Sequence, residues 1–241
     1  MPFASVLHAE WLKIRTLRSL TGTLLVLVAV STAFSALGGA SDSGDPEFDP
    51  LSNALSGLLL GQIAAIAFGA TAVSAEYHGG ALRVSLAAVP RRGRWFAAKL
   101  TAVALPALLV GVLTAAASLV AGRSVMGEAA AGPTAGAQVR AVLGGGVYLM
   151  LMALFAAGFT ALLRSGIAAL GILVPFLLIV SFVIGDAAGA AVEFMPDRAG
   201  QIVLRESWDG TLGPWTGLAV TTVWAASAVA AGAWSVVRRD A

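Results

Sequence analysis

The residues best placed for chemical or mechanical work lie together in Glu76-Tyr77-His78-Gly79-Gly80-Ala81-Leu82-Arg83-Val84-Ser85-Leu86-Ala87-Ala88-Val89-Pro90-Arg91-Arg92-Gly93-Arg94. Ala81 to Val89 is built of helix-forming residues, with Leu82, Leu86 and Val89 at i, i+4 and i+7 on one face. Gly79-Gly80 precede this stretch and Pro90 ends it, which is the punctuation of a short helix. Arg83, Arg91, Arg92 and Arg94 surround it with positive charge. Such a helix either anchors to a membrane surface or serves as a lever that a soluble partner grips. Its chemistry is docking, not bond making. The chain has two His, His8 and His78, and no Cys, so disulfides, thiolate metal sites and Cys nucleophiles are excluded. With no acids clustered inside the apolar runs, no metal site is expected, and the Ser and Asp residues form no recognisable triad. No G-x-x-x-x-G-K-[ST] string occurs, so the chain is not expected to be an ATP-hydrolysing enzyme by that route. Gly144-Gly145-Gly146 lacks a following Lys-Ser or Lys-Thr and reads as a bend or close helix contact.

The elements that must position this loop are apolar. Apolar residues make up 58% of the 241, charged residues 12%, and mean hydropathy is +0.87. Soluble domains run near half apolar and a quarter charged, so this chain needs lipid as its solvent. Six apolar runs stand at about 20–37, 51–74, 100–121, 139–163, 167–191 and 215–237, each near the length that crosses a bilayer. The fold expected is an all-α polytopic membrane protein with six transmembrane helices forming a single domain over 20–237. Pro106 and Pro175 are able to kink two of the runs. Trp215 and Trp234 bracket the last one, at the level where indole rings prefer to sit.

The polar segments between the runs sort by sign. Alternate segments, beginning with the first, hold eleven Lys and Arg against three acids, a net of +8; the others hold four against ten, a net of −6. By the positive-inside rule both termini and residues 76–94 are cytoplasmic, while 38–50, 122–138 and 185–213 lie outside. The overall charge of +2 is therefore a topology signal and does not point to nucleic acid. Residues 1–19 carry Phe3, Val6, Leu7, Trp11, Ile14 and Leu17 on one stripe, with Lys13, Arg15 and Arg18 able to reach anionic head groups. This predicts an amphipathic helix on the membrane surface. Glu10 falls within the apolar stripe, which fits either a docking surface or a pairing with Lys13 at i+3. The first apolar run starts near Leu20 without a small-residue cleavage site, so it is not read as a cleaved signal peptide.

The second run carries Gly57, Gly61, Ala65 and Gly69 at every fourth position. A stripe of small residues admits close approach of another helix, from this chain or from a second copy. Apart from the boundary acid Asp186 the runs hold no fixed charge, which argues against proton-coupled transport. A path lined by Asn53, Ser56, Gln62 and Thr71 would suit a lipophilic or amphiphilic substrate, although such residues also commonly bond between helices. The segment 185–213 stays partly apolar through Phe194, Ile202, Val203, Leu204 and Trp208, as expected if it dips into the outer leaflet as a re-entrant loop.

Glu76-Tyr77 through Leu82-Arg83, then Pro90-Arg91-Arg92, then Ala98-Lys99, resembles the inside loop of permease subunits of ABC-2 type transporters. Ala9-Glu10-Trp11-Leu12-Lys13-Ile14-Arg15 resembles the opening of small six-span actinobacterial members of that family. The resemblance covers the whole chain. It implies an elbow helix at 1–19, with Glu10, Trp11, Lys13 and Arg15. It implies a coupling helix within 76–94, where Glu76, Leu82, Arg83, Leu86 and Arg91 meet an ATP-hydrolysing subunit that binds ATP-Mg. It implies two permease copies in a bacterial plasma membrane, with an exported compound or peptide passing between them. Two other readings stay open: a secondary transporter or channel working without ATP, and a membrane scaffold or immunity protein that moves nothing.

The charge asymmetry generates a direct prediction. In this naturally Cys-free chain, a single cysteine placed at Ser43 labels with an impermeant thiol reagent from outside the cell; labelling only from the cytoplasmic side would invert the topology.

Overall fold

A computed structural model of the chain describes residues 2–40, 48–180, 189–208 and 210–238. Among them every regular element is helical. The α-helices are α1 Phe3–Thr16, α2 Arg18–Gly39, α3 Pro50–Ala54, α4 Leu58–Ser74, α5 Ala81–Ala88, α6 Arg92–Met126, α7 Ala135–Leu163, α8 Gly166–Pro175, α9 Pro196–Gln201 and α10 Pro214–Arg238. Five helical stretches among the described residues are long and apolar enough to cross a bilayer, so the chain is an all-α, multi-pass membrane protein. They are α2, α4 with the turn after it, α6, α7 and α10. Of the run at 167–191, the structure describes α8 and a π-turn at Phe176–Val180. Pro175 supplies no N–H to the helical ladder, and a π-turn is a usual adjustment to such a loss. Residues 181–188, including Asp186, lie outside the described residues, as do Asp42, Ser43, Asp45, Glu47, Asp209, Arg239 and Asp240.

The run 51–74 is not one helix. Asp49 caps α3 by accepting from Leu51 N at 2.9 Å and Ser52 N at 3.0 Å, with Pro50 at the first helical position. A turn at 55–57 then separates α3 from α4. At that turn Gly57 N donates to Ser35 Oγ of α2 at 3.1 Å. A Cβ on Gly57 would stand 1.8 Å from the Ser31 carbonyl oxygen. Gly61 abuts the Ser31 and Leu27 side chains of the same helix. Gly69 instead meets the backbone of Ala153 in α7. Positions four apart drift by about 40° per step around a 3.6-residue helix, so the stripe turns from one neighbour to the next. The small residues are taken up by this chain's own helices, not left for a second copy.

α6 is the long strut of the bundle. At 35 residues it spans about 52 Å, against a hydrocarbon core of about 30 Å. Its first turns therefore project beyond the apolar layer toward α1 and α5. At the opposite end, residues 194–204 pack against the bundle. Ala199 and Val203 are fully buried, Thr221 Oγ1 of α10 donates to Pro196 O at 2.9 Å, and Trp224 Nε1 donates to Phe194 O at 2.9 Å. Trp224 lies ten residues into α10, so this contact stands about 15 Å along α10 from its start. The triple glycine of α7 makes that possible: Gly144 faces Val203, Gly145 faces Leu204 and Leu58, and Gly146 faces Val112 of α6.

Gly57→Leu should destabilise the isolated monomer by more than the ~1–3 kcal/mol usual for overpacking, because the clash is with backbone. Gly22→Ala, with open space around it, should be neutral or stabilising by up to ~1 kcal/mol. Thermal unfolding in detergent separates the two.

Candidate functional site

Four charged side chains from three separate segments meet at the end of the bundle that carries residues 76–94. Glu10 and Lys13 come from α1, three residues apart and so on one helix face. Glu76 comes from the 3-10 turn Ala75–Tyr77 that ends α4, and Lys99 from the second turn of α6. Lys99 Nζ donates to Glu76 Oε1 at 2.6 Å and is also paired with Glu10 Oε2. Lys13 Nζ donates to Glu10 Oε1 at 2.9 Å and to Glu76 Oε1 at 2.8 Å. Ser85 of α5 donates to Glu76 Oε2 at 3.0 Å and accepts from Lys13 Nζ at 3.1 Å. Trp95 Nε1 donates to Glu10 Oε1 at 3.2 Å.

The node is nearly dry. The side chains of Glu10, Glu76 and Lys99 are each 3% exposed, and that of Lys13 is 36% exposed. Val6, Val73, Leu82, Val89, Trp95 and Phe96 form the apolar wall around it. Two carboxylates and two ammonium groups cancel, and each carboxylate oxygen faces a cation or a hydroxyl. Burial pushes the Lys13 ammonium down, but the Glu76 and Glu10 carboxylates outweigh it and leave its pKa above the ordinary 10.5. Its contribution to stability is therefore complete below pH 10.5 and is lost as pH climbs through the raised value.

The structure brings together Glu10, Lys13 and Glu76 of the residues expected here. It leaves Arg15, Arg83 and Arg91 exposed, with Trp11 half-buried. The apolar stripe of α5 runs inward. Leu82 is 7% exposed within the wall of the node and Leu86 packs against it. The family resemblance has both meeting an ATP-hydrolysing subunit; in the structure they hold α5 to its own bundle, since an apolar stripe is buried against whatever apolar surface is nearest. The outward face of α5 is Arg83, Val84 and Ala87, with Val84 72% exposed. Lys99, Trp95 and Ser85 complete the node without being among the site residues that the sequence leads one to expect. Their signal was present: Trp95 and Lys99 stand at i, i+4, and Lys99 is the lone charge entering a long apolar run.

Asn53, Ser56, Gln62 and Thr71 do not line one path. Asn53 and Ser56 sit near Gly38 at the far end of α2. Gln62 is 2% exposed and accepts from the Tyr148 hydroxyl, which itself accepts from Gln201 Nε2 at 3.3 Å. Thr71 borders a small cavity near Arg164. At the far end, a cavity of about 630 Å³ is bordered by Phe48, Asp49, Arg198, Gln201, Arg205 and Trp208. Asp49 bridges its walls by accepting from Glu206 N at 2.8 Å, and Arg140 stacks 5.4 Å from the Trp208 ring centroid. Among the described residues, no three His, Asp or Glu stand close enough together to hold a metal ion.

Comparison of the sequence with protein-family models and with curated proteins returns no match.

Lys99→Met leaves two buried carboxylates sharing Lys13, and should cost about 3–5 kcal/mol of unfolding free energy. Adding Glu76→Gln restores a neutral Glu10–Lys13 pair, so the double variant should be more stable than Lys99→Met alone. Simple additivity in thermal or denaturant unfolding would show that the charges do not act as a unit.

Proposed function

We propose that this chain is the membrane-spanning permease subunit of an ATP-driven transporter of the ABC-2 type. The observation that carries the reading is the charge node. It fastens α5, through Ser85, to α1, to the end of α4 and to α6 at once. A surface anchor has no need of such a junction; a lever does, because force applied to α5 must reach the long helices without slippage. Separating a buried ion pair costs several kcal/mol, so these segments move together.

In this reading α1 is an elbow helix on the cytoplasmic membrane surface, and α5 is the coupling helix. The outward face of α5, Arg83, Val84 and Ala87, meets the ATPase subunit together with Arg91 at the start of α6, while Leu82 and Leu86 transmit the motion inward. ATP-Mg is bound and hydrolysed on that separate subunit. α8 opens a sixth span. Both termini face the cytoplasm of a bacterium, in keeping with the basic residues gathered at this end. Two copies assemble, and an exported hydrophobic or amphiphilic compound passes between them. The closed Gln62–Tyr148 contact within a single copy supports a path outside the monomer core.

The test is co-purification of an ATPase subunit with the tagged chain from native membranes, with ATP hydrolysis as the second readout. Val84→Asp, alone or with Arg83→Glu, should weaken association at least about tenfold, since a buried Val is worth ~1.5–3 kcal/mol and 1.4 kcal/mol is tenfold. The unfolding temperature should not move. Leu82→Asp should lower the unfolding temperature first. Undiminished association in the Val84 variant would remove the lever and favour the scaffold reading.

A further inference from the structure

One charged side chain inside the bundle takes no part in the reading above. Asp197, in the first turn of α9, is 3% exposed, and its Oδ1 is buried without a hydrogen-bond partner. The adjoining Pro196 O accepts from Thr221 Oγ1, seven residues into α10, so α9 stands here about 10 Å along that helix from its start. A carboxylate at such a place calls for a positive charge beside it. The cations of this end are placed elsewhere. Arg140 stacks on Trp208, and Arg198 and Arg205 border the far cavity, which Asp197 does not line.

The corner around Asp197 is rich in oxygen and poor in donors. Asp197, Gly200 and Gln201 stand at i, i+3 and i+4 on one face of α9. On that face Gly200 lies against both Tyr148 and Thr221: a Cβ there would stand 2.3 Å from Tyr148 Cδ2 and 2.8 Å from Thr221 Oγ1. Tyr148 is also within electrostatic reach of the Asp197 charge. Both hydroxyls have committed their protons to other acceptors. Thr221 Oγ1 donates to the carbonyls of Pro196 and Gly217, at 2.9 and 3.2 Å, and the Tyr148 hydroxyl donates to Gln62 Oε1. The protons therefore point away from Asp197, while each hydroxyl oxygen keeps lone pairs. An acid and two proton-directed hydroxyls converging in this way suit a bare positive charge, not another donor-acceptor pair.

We infer that Asp197, Tyr148 and Thr221 form a binding site for an alkali-metal cation between α7, α9 and α10. A single carboxylate with neutral oxygens matches one positive charge, whereas a divalent ion takes more carboxylate ligands. Short helices and irregular backbone set into a membrane bundle are also where such ions are commonly coordinated. The ion would supply the missing countercharge and so hold residues 194–204 in place. The inference rests on this corner alone and is independent of the transport reading.

The test is equilibrium binding of radiolabelled sodium and rubidium to the purified full chain in detergent, at constant ionic strength set with N-methylglucamine chloride. The wild-type chain should bind one of the two ions saturably, one per chain, and that ion should raise its unfolding temperature. Asp197→Asn replaces the carboxylate by a neutral amide and should abolish binding. Thr221→Val removes one oxygen and should weaken binding by about tenfold or more, the scale of one polar contact to a charged group. It carries the test if Asp197→Asn does not fold. Glu193→Gln alters a carboxylate at the far cavity and should bind as the wild type does. Absence of saturable binding to the wild-type chain would overturn the inference, as would undiminished binding in either folded variant at Asp197 or Thr221. Loss of binding in a folded Glu193→Gln chain would move the ion to the far cavity and overturn it too. An unfolding temperature that follows pH but neither ion would show that Asp197 carries a proton in place of a metal, with the same consequence.

Discussion

A carboxylate enters an apolar interior only if a cation enters with it, and the 76–94 end of this bundle is organised by that requirement. Glu10 and Glu76 are supplied by segments far apart in the chain, and Lys99 is the cation that satisfies both. Because Lys99 lies on α6, the longest helix, the pairing sets the height of α1 and of the α4 terminus along that strut. Ser85 then fixes α5 to the same point. The apolar wall supplies most of the burial, while the charges supply registry. Apolar contacts tolerate sliding by a fraction of a turn, whereas a network of four charges within hydrogen-bond distance does not.

The opposite end is built on a different principle. There the backbone itself is brought into the bundle, and its polar groups must find partners away from water. Thr221 and Trp224 of α10 satisfy the carbonyls of Pro196 and Phe194, and Asp49 serves both as the cap of α3 and as an acceptor for Glu206 N. Glycines in α7 and α9 let this segment sit against Tyr148 without displacing it. The far cavity and the buried Gln62–Tyr148–Gln201 chain are products of that inward fold. One end is thus an ionic clamp between helices and the other a short polar segment clasped by hydrogen bonds, with α6, α7 and α10 running between them.

Close packing ties the two ends together. Gly57 and Gly61 bring α4 onto α2, Gly69 brings it onto α7, and Gly158 stands against Ala228 and Val229 of α10. In lipid, where apolar side chains gain nothing by leaving a solvent that is itself apolar, this backbone proximity is a main source of helix association. A displacement of α4 would be felt by both neighbours.

The sequence by itself determined the solvent of this protein, the positions of its long helices and the sorting of its charges. These are properties of composition and local periodicity: a long apolar run has no stable alternative to a helix in lipid. It also determined that α5 would form, that Glu10 stood anomalously in an apolar stripe, and that Glu10 and Lys13 were within reach. The break at Leu55–Gly57 was less legible, because it depends on Ser31 and Ser35 of another helix. Only the tertiary structure decided which way the apolar stripe of α5 faces, which helices take up the glycine stripe, and that Lys99 closes the charge node. Each is a choice among partners that periodicity treats as equal. A stripe of leucines records that it must be buried, and a lysine that it must be paired, but the partner is set by which surfaces the long helices bring together.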